Sequence, residues 1–220
     1  MFPPSTAALV AGAVLATMVE TREDMAPRAR DSTTLKVFKK LCRYMLLTSF
    51  GLEIISIFVT TVTGTMLLSH GDAKILKSFK YASPMGFLKH NWEFEYLTAR
   101  IAFLQGLFHW LAAVSLELLI PKPGEGKAAR RMNYFTASSL GTILVAMVSF
   151  LNRHMTFYDN YFHMWRNYLG VCFRHFIWPI RPLTAVLLPM MGLTIFFGVR
   201  AFAFVGVEEE DEDKKGLNTI

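Results

Sequence analysis

The stretch that decides the fold is Leu9-Val-Ala-Gly-Ala-Val-Leu-Ala-Thr-Met-Val-Glu20, an apolar run that ends abruptly in a carboxylate. Side chains three and four residues apart share one face of a helix. The pattern therefore predicts a helix in which one face carries Ser5, Leu9, Ala13, Ala16 and Glu20.

A neighbouring face of this helix carries Ala8, Gly12 and Ala16. Small residues at this spacing let helix backbones approach closely inside a bilayer. Copies of the helix standing around an axis would gather the Glu20 carboxylates at one end, which is a channel-like arrangement. The simpler interpretation is a short first membrane helix in which Glu20 marks the water boundary. Because no basic stretch precedes the run, we expect it to be retained and not cleaved as a signal.

The composition is that of a membrane protein. Of the 220 residues, 53% are hydrophobic and only 18% are charged, against about 25% charged in soluble domains. The two cysteines, Cys42 and Cys172, lie far apart and have no metal-binding spacing. The net charge of +6 is spread through the loops. We therefore expect the basic residues to face anionic lipid headgroups and not to bind nucleic acid.

The hydrophobic pattern predicts an all-α fold, a polytopic transmembrane helix bundle of four to five membrane helices plus an interfacial amphipathic helix. Crossing the hydrocarbon core takes about 20 apolar residues. The segments that reach this length are 45–68, 101–120, 132–151 and 183–205, and the segment 6–19 is a shorter fifth.

The remaining segments are assigned to the membrane surface or to water. Residues 21–44 are polar and are predicted to be a loop, whereas 153–182 combine tyrosine, tryptophan and arginine, as in a helix at headgroup depth. Residues 1–207 then form the transmembrane domain, and the acidic residues 208–220 a disordered tail.

Ionisable residues inside the apolar segments are costly in hydrocarbon, so each needs a partner or a function. Glu53 and Arg100 are candidates for an ion pair between the second and third helices, although Arg100 also lies close enough to its helix end to reach the headgroups. His109 is central and isolated. We interpret it as a hydrogen-bonded core histidine and not as a haem or metal ligand.

No motif supports an enzyme. His154, Asp159, His163 and His175 are potential metal ligands, but they lie in an aromatic interfacial segment without HExxH spacing. A haem-binding oxidoreductase is a third-ranked alternative that rests on the six histidines. We predict a non-enzymatic protein without a cofactor.

Three motifs in order form a known pattern: Leu9, Gly12 and Met18-Val19-Glu20; then Ser83-Pro84, a basic stretch and Phe94-Glu95; then a proline-bearing segment over 184–199. In these features the chain resembles the Orai family, the pore subunits of store-operated calcium channels. The resemblance implies a homo-oligomeric cation channel in which Glu20 forms the selectivity ring, holding Ca²⁺ as the permeating ion. Ser5, Leu9, Ala13 and Ala16 would line the pore below it.

The chain departs from this family where Ala13 and Ala16 replace bulky gate residues, and where the extra segment 132–151 would reverse the last helix. The alternative function is a non-catalytic accessory subunit of a larger membrane complex, such as an organellar energy-transducing assembly. The expected partners are membrane lipids together with either copies of this chain or the subunits of that complex. In both cases we expect an integral, multi-pass protein of the plasma membrane or of an organelle.

Overall fold

The computed structural model describes residues 4–26, 31–75, 92–122, 124–155, 158–177 and 182–203. Within these residues all secondary structure is helical, in agreement with the predicted fold class. The elements are α1 (Pro4–Glu20), α2 (Thr33–Ile75), α3 (Glu93–Glu117), α4 (Lys127–Arg153), α5 (Tyr161–Cys172), a π-helical turn (Phe173–Ile177) and α6 (Pro182–Ala203).

Three helical stretches in the described part of the chain are long and apolar enough to cross a membrane, namely Thr33–Met66, Glu93–Glu117 and Lys127–Arg153. They contain most of the predicted segments 45–68, 101–120 and 132–151. The apolar stretches Ser5–Glu20 in α1 and Val186–Arg200 in α6 are shorter. Helix α6 as a whole covers the predicted segment 183–205 up to residue 203, where the described residues end. The motif at Ser83-Pro84 and the tail 208–220 lie outside the described residues.

The predicted loop 21–44 is wrong in its second half, because α2 begins at Thr33. The basic residues of this region are on the helix, and Lys39 is only 3% exposed. Its ammonium group donates hydrogen bonds to Asp31 at 2.5 Å and to the carbonyl of Ala26 at 3.2 Å. The ion pair with Asp31 reduces the cost of burying the Lys39 charge. In addition, no glycine or proline lies between 33 and 44 to interrupt the helix.

The antiparallel pair of α2 and α3 is the centre of the fold. Its direction follows from two contacts: Ser49 bonds to Gly106, whereas Ser56, further along α2, bonds to Ala99, which comes earlier in α3. Helix α1 lies against this pair, and α4 and α5 each pack against α3. The residues that α1 buries are Ala7, Ala11 and Val14.

The predicted interfacial segment 153–182 contains the short helix α5. Asn160 caps its start, since the Asn160 side chain accepts a hydrogen bond from the His163 backbone N–H at 2.7 Å. One face of α5 buries Met164 and Val171 in a cluster with Tyr96, Leu97 and Ile101 of α3, while Phe162 is exposed on the other. The helix is amphipathic, as predicted, and its apolar face packs on protein.

Candidate functional site

The face of α1 that carries the predicted pore-lining residues points away from the rest of the protein. Ser5, Leu9, Ala16 and Glu20 are exposed, with Leu9 at 74%, and Ala13 is half-buried. The structure thus brings the predicted set together along one outward face, with Glu20 at its end.

The rotation of α1 about its own axis is fixed by a contact with α3. The indole N–H of Trp110 donates a hydrogen bond to the Thr17 hydroxyl at 3.2 Å, and this hydroxyl donates to the carbonyl of Ala13 at 2.9 Å. Val14, on the same side as Thr17, packs in a cluster with Leu46 and Ala113. Because this side is anchored inward, the Leu9–Ala16 side must face outward.

The chain that follows Glu20 is tied to the connection between α3 and α4. Lys122 in that connection forms ion pairs with Asp24 at 3.0 Å and with Glu117 at 3.3 Å. The hydrogen bond that the Lys122 ammonium group donates to Asp24 is the main cause that raises the pKa of Lys122, and Glu117 adds to it against the effect of burial. The end of α1 is therefore held at the end of the bundle where α3 ends and α4 begins.

A second charged cluster lies in the same connection. Glu125 accepts hydrogen bonds from the Lys122 backbone N–H at 3.3 Å, from Arg130 at 3.3 Å and from Asn133 at 2.5 Å. Burial acts to raise the pKa of Glu125, but these three bonds and the Arg130 charge outweigh it and lower that pKa. The cluster closes the α3–α4 connection.

A buried polar seam lies on α2, and of its residues only Glu53 is singled out by the sequence-based predictions. Spacings of four and three residues place this seam on one face of α2. Ser49 donates to the Gly106 carbonyl at 2.6 Å, and Ser56 to the Ala99 carbonyl at 3.1 Å. The spacing in the sequence was the signal that would have revealed it. The seam consists of Ser49, Glu53, Ser56, Thr60 and Thr63, all buried.

Glu53 lies in the middle of this seam with 0% of its side chain exposed. Its carboxylate presses on α3 at Gly106: a Cβ atom at position 106 would lie 2.6 Å from Glu53 Oε1. Neither carboxylate oxygen has a hydrogen-bond partner in the described part of the chain.

The predicted ion pair between Glu53 and Arg100 is not formed. Arg100 instead donates a hydrogen bond to the Tyr96 hydroxyl at 2.5 Å, one turn earlier in α3. Helical side chains lean toward the N-terminus of their own helix. In an antiparallel pair this directs Glu53 toward Ser49 and Gly106, and Arg100 in the opposite direction.

His109 is a hydrogen-bonded core histidine, in agreement with the interpretation from the sequence. Tyr161 donates to Gln105 Oε1 at 2.7 Å, so the Gln105 amide nitrogen faces His109 Nε2, at 3.0 Å. His109 Nε2 then accepts, and its proton lies on Nδ1, 3.3 Å from the Thr48 hydroxyl. This chain of bonds links α5 to α2 through α3.

The four potential metal ligands of the α5 region are distributed over separate contacts. Asp159 and His163 are 3.0 Å apart and exposed. His154 stacks on Phe150 and His175 on Phe94, with ring centroids 4.1 Å and 4.2 Å apart. In the described residues no three histidine, cysteine or acidic side chains are grouped as a metal site.

Comparisons with protein-family models, curated proteins and solved structures give no match for this chain. Its class therefore rests on the helices themselves. Long apolar helices that pack around a seam of small and hydroxyl residues define an all-α membrane protein.

Proposed function

We propose that this chain is the subunit of a homo-oligomeric cation channel in which the outward face of α1 lines the axis. One observation carries the proposal: α1 packs one face on α2 and α3 and leaves Ser5, Leu9, Ala16 and Glu20 together on the other. The function needs no catalytic step and no cofactor.

The character of this outward face supports contact with protein or water over contact with lipid. Between the exposed side chains of Leu9, Leu15 and Val19, this side of α1 presents Gly12 and Ala16, which are small and exposed. Helix surfaces that meet other helices in membranes are enriched in such residues. The exposed surface of α4 carries more bulk: beside Ser138, Thr142, Ala146 and Ser149 it exposes Met132, Phe135, Ile143, Val145 and Phe150.

Glu20 supplies the chemistry for a cation. Carboxylate oxygens are the ligands that Ca²⁺ prefers, and rings of acidic side chains select cations in channels. Several Glu20 side chains around an axis would repel one another, and a bound divalent cation would offset that repulsion. The resemblance to the Orai family, which rests on this same end of the first helix, specifies Ca²⁺ among the cations. Leu9, the bulkiest of the outward residues in the pore-lining set, would form the apolar constriction.

The direct test is Ca²⁺ flux into liposomes that contain the purified protein. We expect Glu20→Gln to abolish most of the flux, because the amide keeps the size of the side chain and removes its charge. Glu23→Gln, three residues beyond the end of α1, is the matched control and should retain flux. Unchanged flux in Glu20→Gln would rule out the ring.

Cross-linking tests the assembly separately from conduction. A cysteine introduced at exposed Leu9 should form a disulfide with Leu9→Cys of a second copy, giving a covalent dimer of this chain in native membranes. If the same cysteine cross-links to other polypeptides and never to a copy of this chain, the accessory-subunit function replaces the channel.

A further inference from the structure

We propose that Glu53 is a proton-binding site inside the membrane: its carboxyl group carries a proton while α2 and α3 are packed, and releasing the proton requires the two helices to part at Gly106. This inference concerns the α2–α3 pair and does not depend on whether α1 lines a pore.

The hydroxyl groups beside Glu53 already donate hydrogen bonds to other acceptors. Ser49 and Ser56 lie one turn to either side of Glu53 on α2. Each hydroxyl has a single proton to donate, and these protons go to the carbonyls of Gly106 and Ala99. An ionised carboxylate needs donors to replace water, and the seam offers it none.

The nearby charged or titratable groups on the helices packed against Glu53 are directed elsewhere. On α3, Arg100 bonds to Tyr96, and His109 is held between Thr48 and Gln105. On α1 the acid is Glu20, which is exposed at the end of the helix.

Basic residues of α2 do not reach Glu53 either. Lys39 lies fourteen residues earlier, and its ammonium group is paired with Asp31 near the start of α2. A bare buried charge costs several kcal/mol even after relaxation. A neutral carboxylic acid avoids that cost, because a proton stays on the oxygen.

The contact between Glu53 and Gly106 couples the bound proton to the packing of the two helices. Glu53 Oε1 occupies the space that a Cβ atom of residue 106 would need, so no gap remains for water between the carboxyl group and α3. Ionisation requires water at this oxygen, and water can enter when α2 and α3 separate there. Proton occupancy and helix packing therefore form a single equilibrium.

Infrared spectroscopy of the full chain in lipid bilayers tests the protonation. Ordinary aspartates and glutamates, with a pKa near 4, are ionised at about pH 7, so a carboxylic-acid carbonyl band at that pH reports a protonated group such as Glu53. We expect this band in the wild type and in the control Glu23→Gln, and its loss in Glu53→Gln. Wild-type and Glu53→Gln spectra that coincide at about pH 7 would overturn the proposal.

Hydrogen exchange of backbone amides over 99–106 tests the coupling. Raising the pH until the acid band disappears should accelerate exchange of this segment in the wild type by at least about tenfold relative to Glu53→Gln, which cannot ionise. The ratio cancels the intrinsic effect of pH on exchange. A ratio that stays constant while the band disappears would refute the coupling.

A second neutral variant guards against a failure to fold. If Glu53→Gln is unstable, Glu53→Met replaces the acid with an apolar side chain of similar length, and it serves in both measurements. If both neutral variants unfold while the wild type lacks the acid band, Glu53 is needed as a charge and the proposal is wrong.

Discussion

Helices α3 and α4 are neighbours of similar length, 25 and 27 residues, but they differ in how much protein surrounds them. In the most apolar 18-residue stretch of each helix, 56% of the residues are buried in α3 and 6% in α4. The residues that α3 buries include the small Ala99, Ala102, Gly106 and Ala113, whereas α4 exposes phenylalanine, isoleucine and valine beside Ser138, Thr142 and Ala146. Inside a bilayer, therefore, small size and hydrogen bonding mark a protein-facing surface, and bulk marks a lipid-facing one.

In this comparison the outward face of α1 is closer to the protein-facing surface of α3, because it includes small side chains. It exposes Ser5, Gly12 and Ala16, although Leu9, Leu15 and Val19 are exposed as well. Substitutions on protein-facing surfaces should therefore have larger effects than substitutions on lipid-facing ones.

The largest effect is expected at the closest contact of the seam. Gly106→Leu places side-chain atoms where Glu53 Oε1 lies, and overpacking of this kind destabilises by about 1–3 kcal/mol or more. Gly51→Leu is the control, since a Cβ atom there meets nothing within 4 Å. Reversible unfolding in mixed detergent micelles measures both. Equal losses of stability in the two variants would mean that the seam is not tightly packed.

The next effect concerns association of α1 with other copies. Gly12→Leu adds a bulky side chain to the centre of the outward face and should weaken self-association by about 1–2 kcal/mol, the range of interhelical contacts in membranes. Val145→Phe adds bulk to the exposed face of α4 and should leave association unchanged. Förster transfer between labelled copies in liposomes gives both dissociation constants. A comparable loss in Val145→Phe would show that the α4 face also meets protein.

A smaller effect is expected from a single bond of the seam. Ser49→Ala removes the hydroxyl that donates to the Gly106 carbonyl and should destabilise the protein by about 0.5–1.5 kcal/mol. Thr142→Ala, on the exposed face of α4, removes a hydroxyl that bonds within its own helix and should change stability by less than about 0.5 kcal/mol. Unfolding of both variants in the same micelles provides the measurement, and a larger loss in Thr142→Ala would reverse the comparison.

The smallest effect comes from the ion pairs outside the membrane. The pKa of Lys122 is raised in the folded state, so its contribution to stability is fully present below its unfolded pKa and is lost as the pH rises through the folded one. Lys122→Met should therefore lower stability slightly at neutral pH and not at all once the pH is well above the raised pKa of Lys122. The effect should stay below about 1 kcal/mol because Lys122 and Asp24 are 42% and 37% exposed. A difference from the wild type that does not depend on pH would exclude the ion pairs as its source.

Much of the site was accessible from the sequence because it depends on local periodicity. The three- and four-residue spacing put Ser5, Leu9, Ala16 and Glu20 on one face, and the structure keeps them together. The ion pair of Glu53 with Arg100 was wrong for a reason that needs two helices: side chains in an antiparallel pair lean in opposite directions. The start of α2 was misplaced because the partner that neutralises Lys39 lies in the preceding segment.

The sequence by itself determined that the chain is all-helical and belongs in a membrane, since the length and apolar character of each segment are local properties that hydrocarbon selects directly. The tertiary structure alone decided which helix faces are inward. It placed Glu53 against Gly106, turned the α1 face outward and left α4 exposed. The apolar pattern alone does not decide this, because apolar side chains are similarly stable in lipid and in a protein interior. What separates these faces is the fit between one helix and the next.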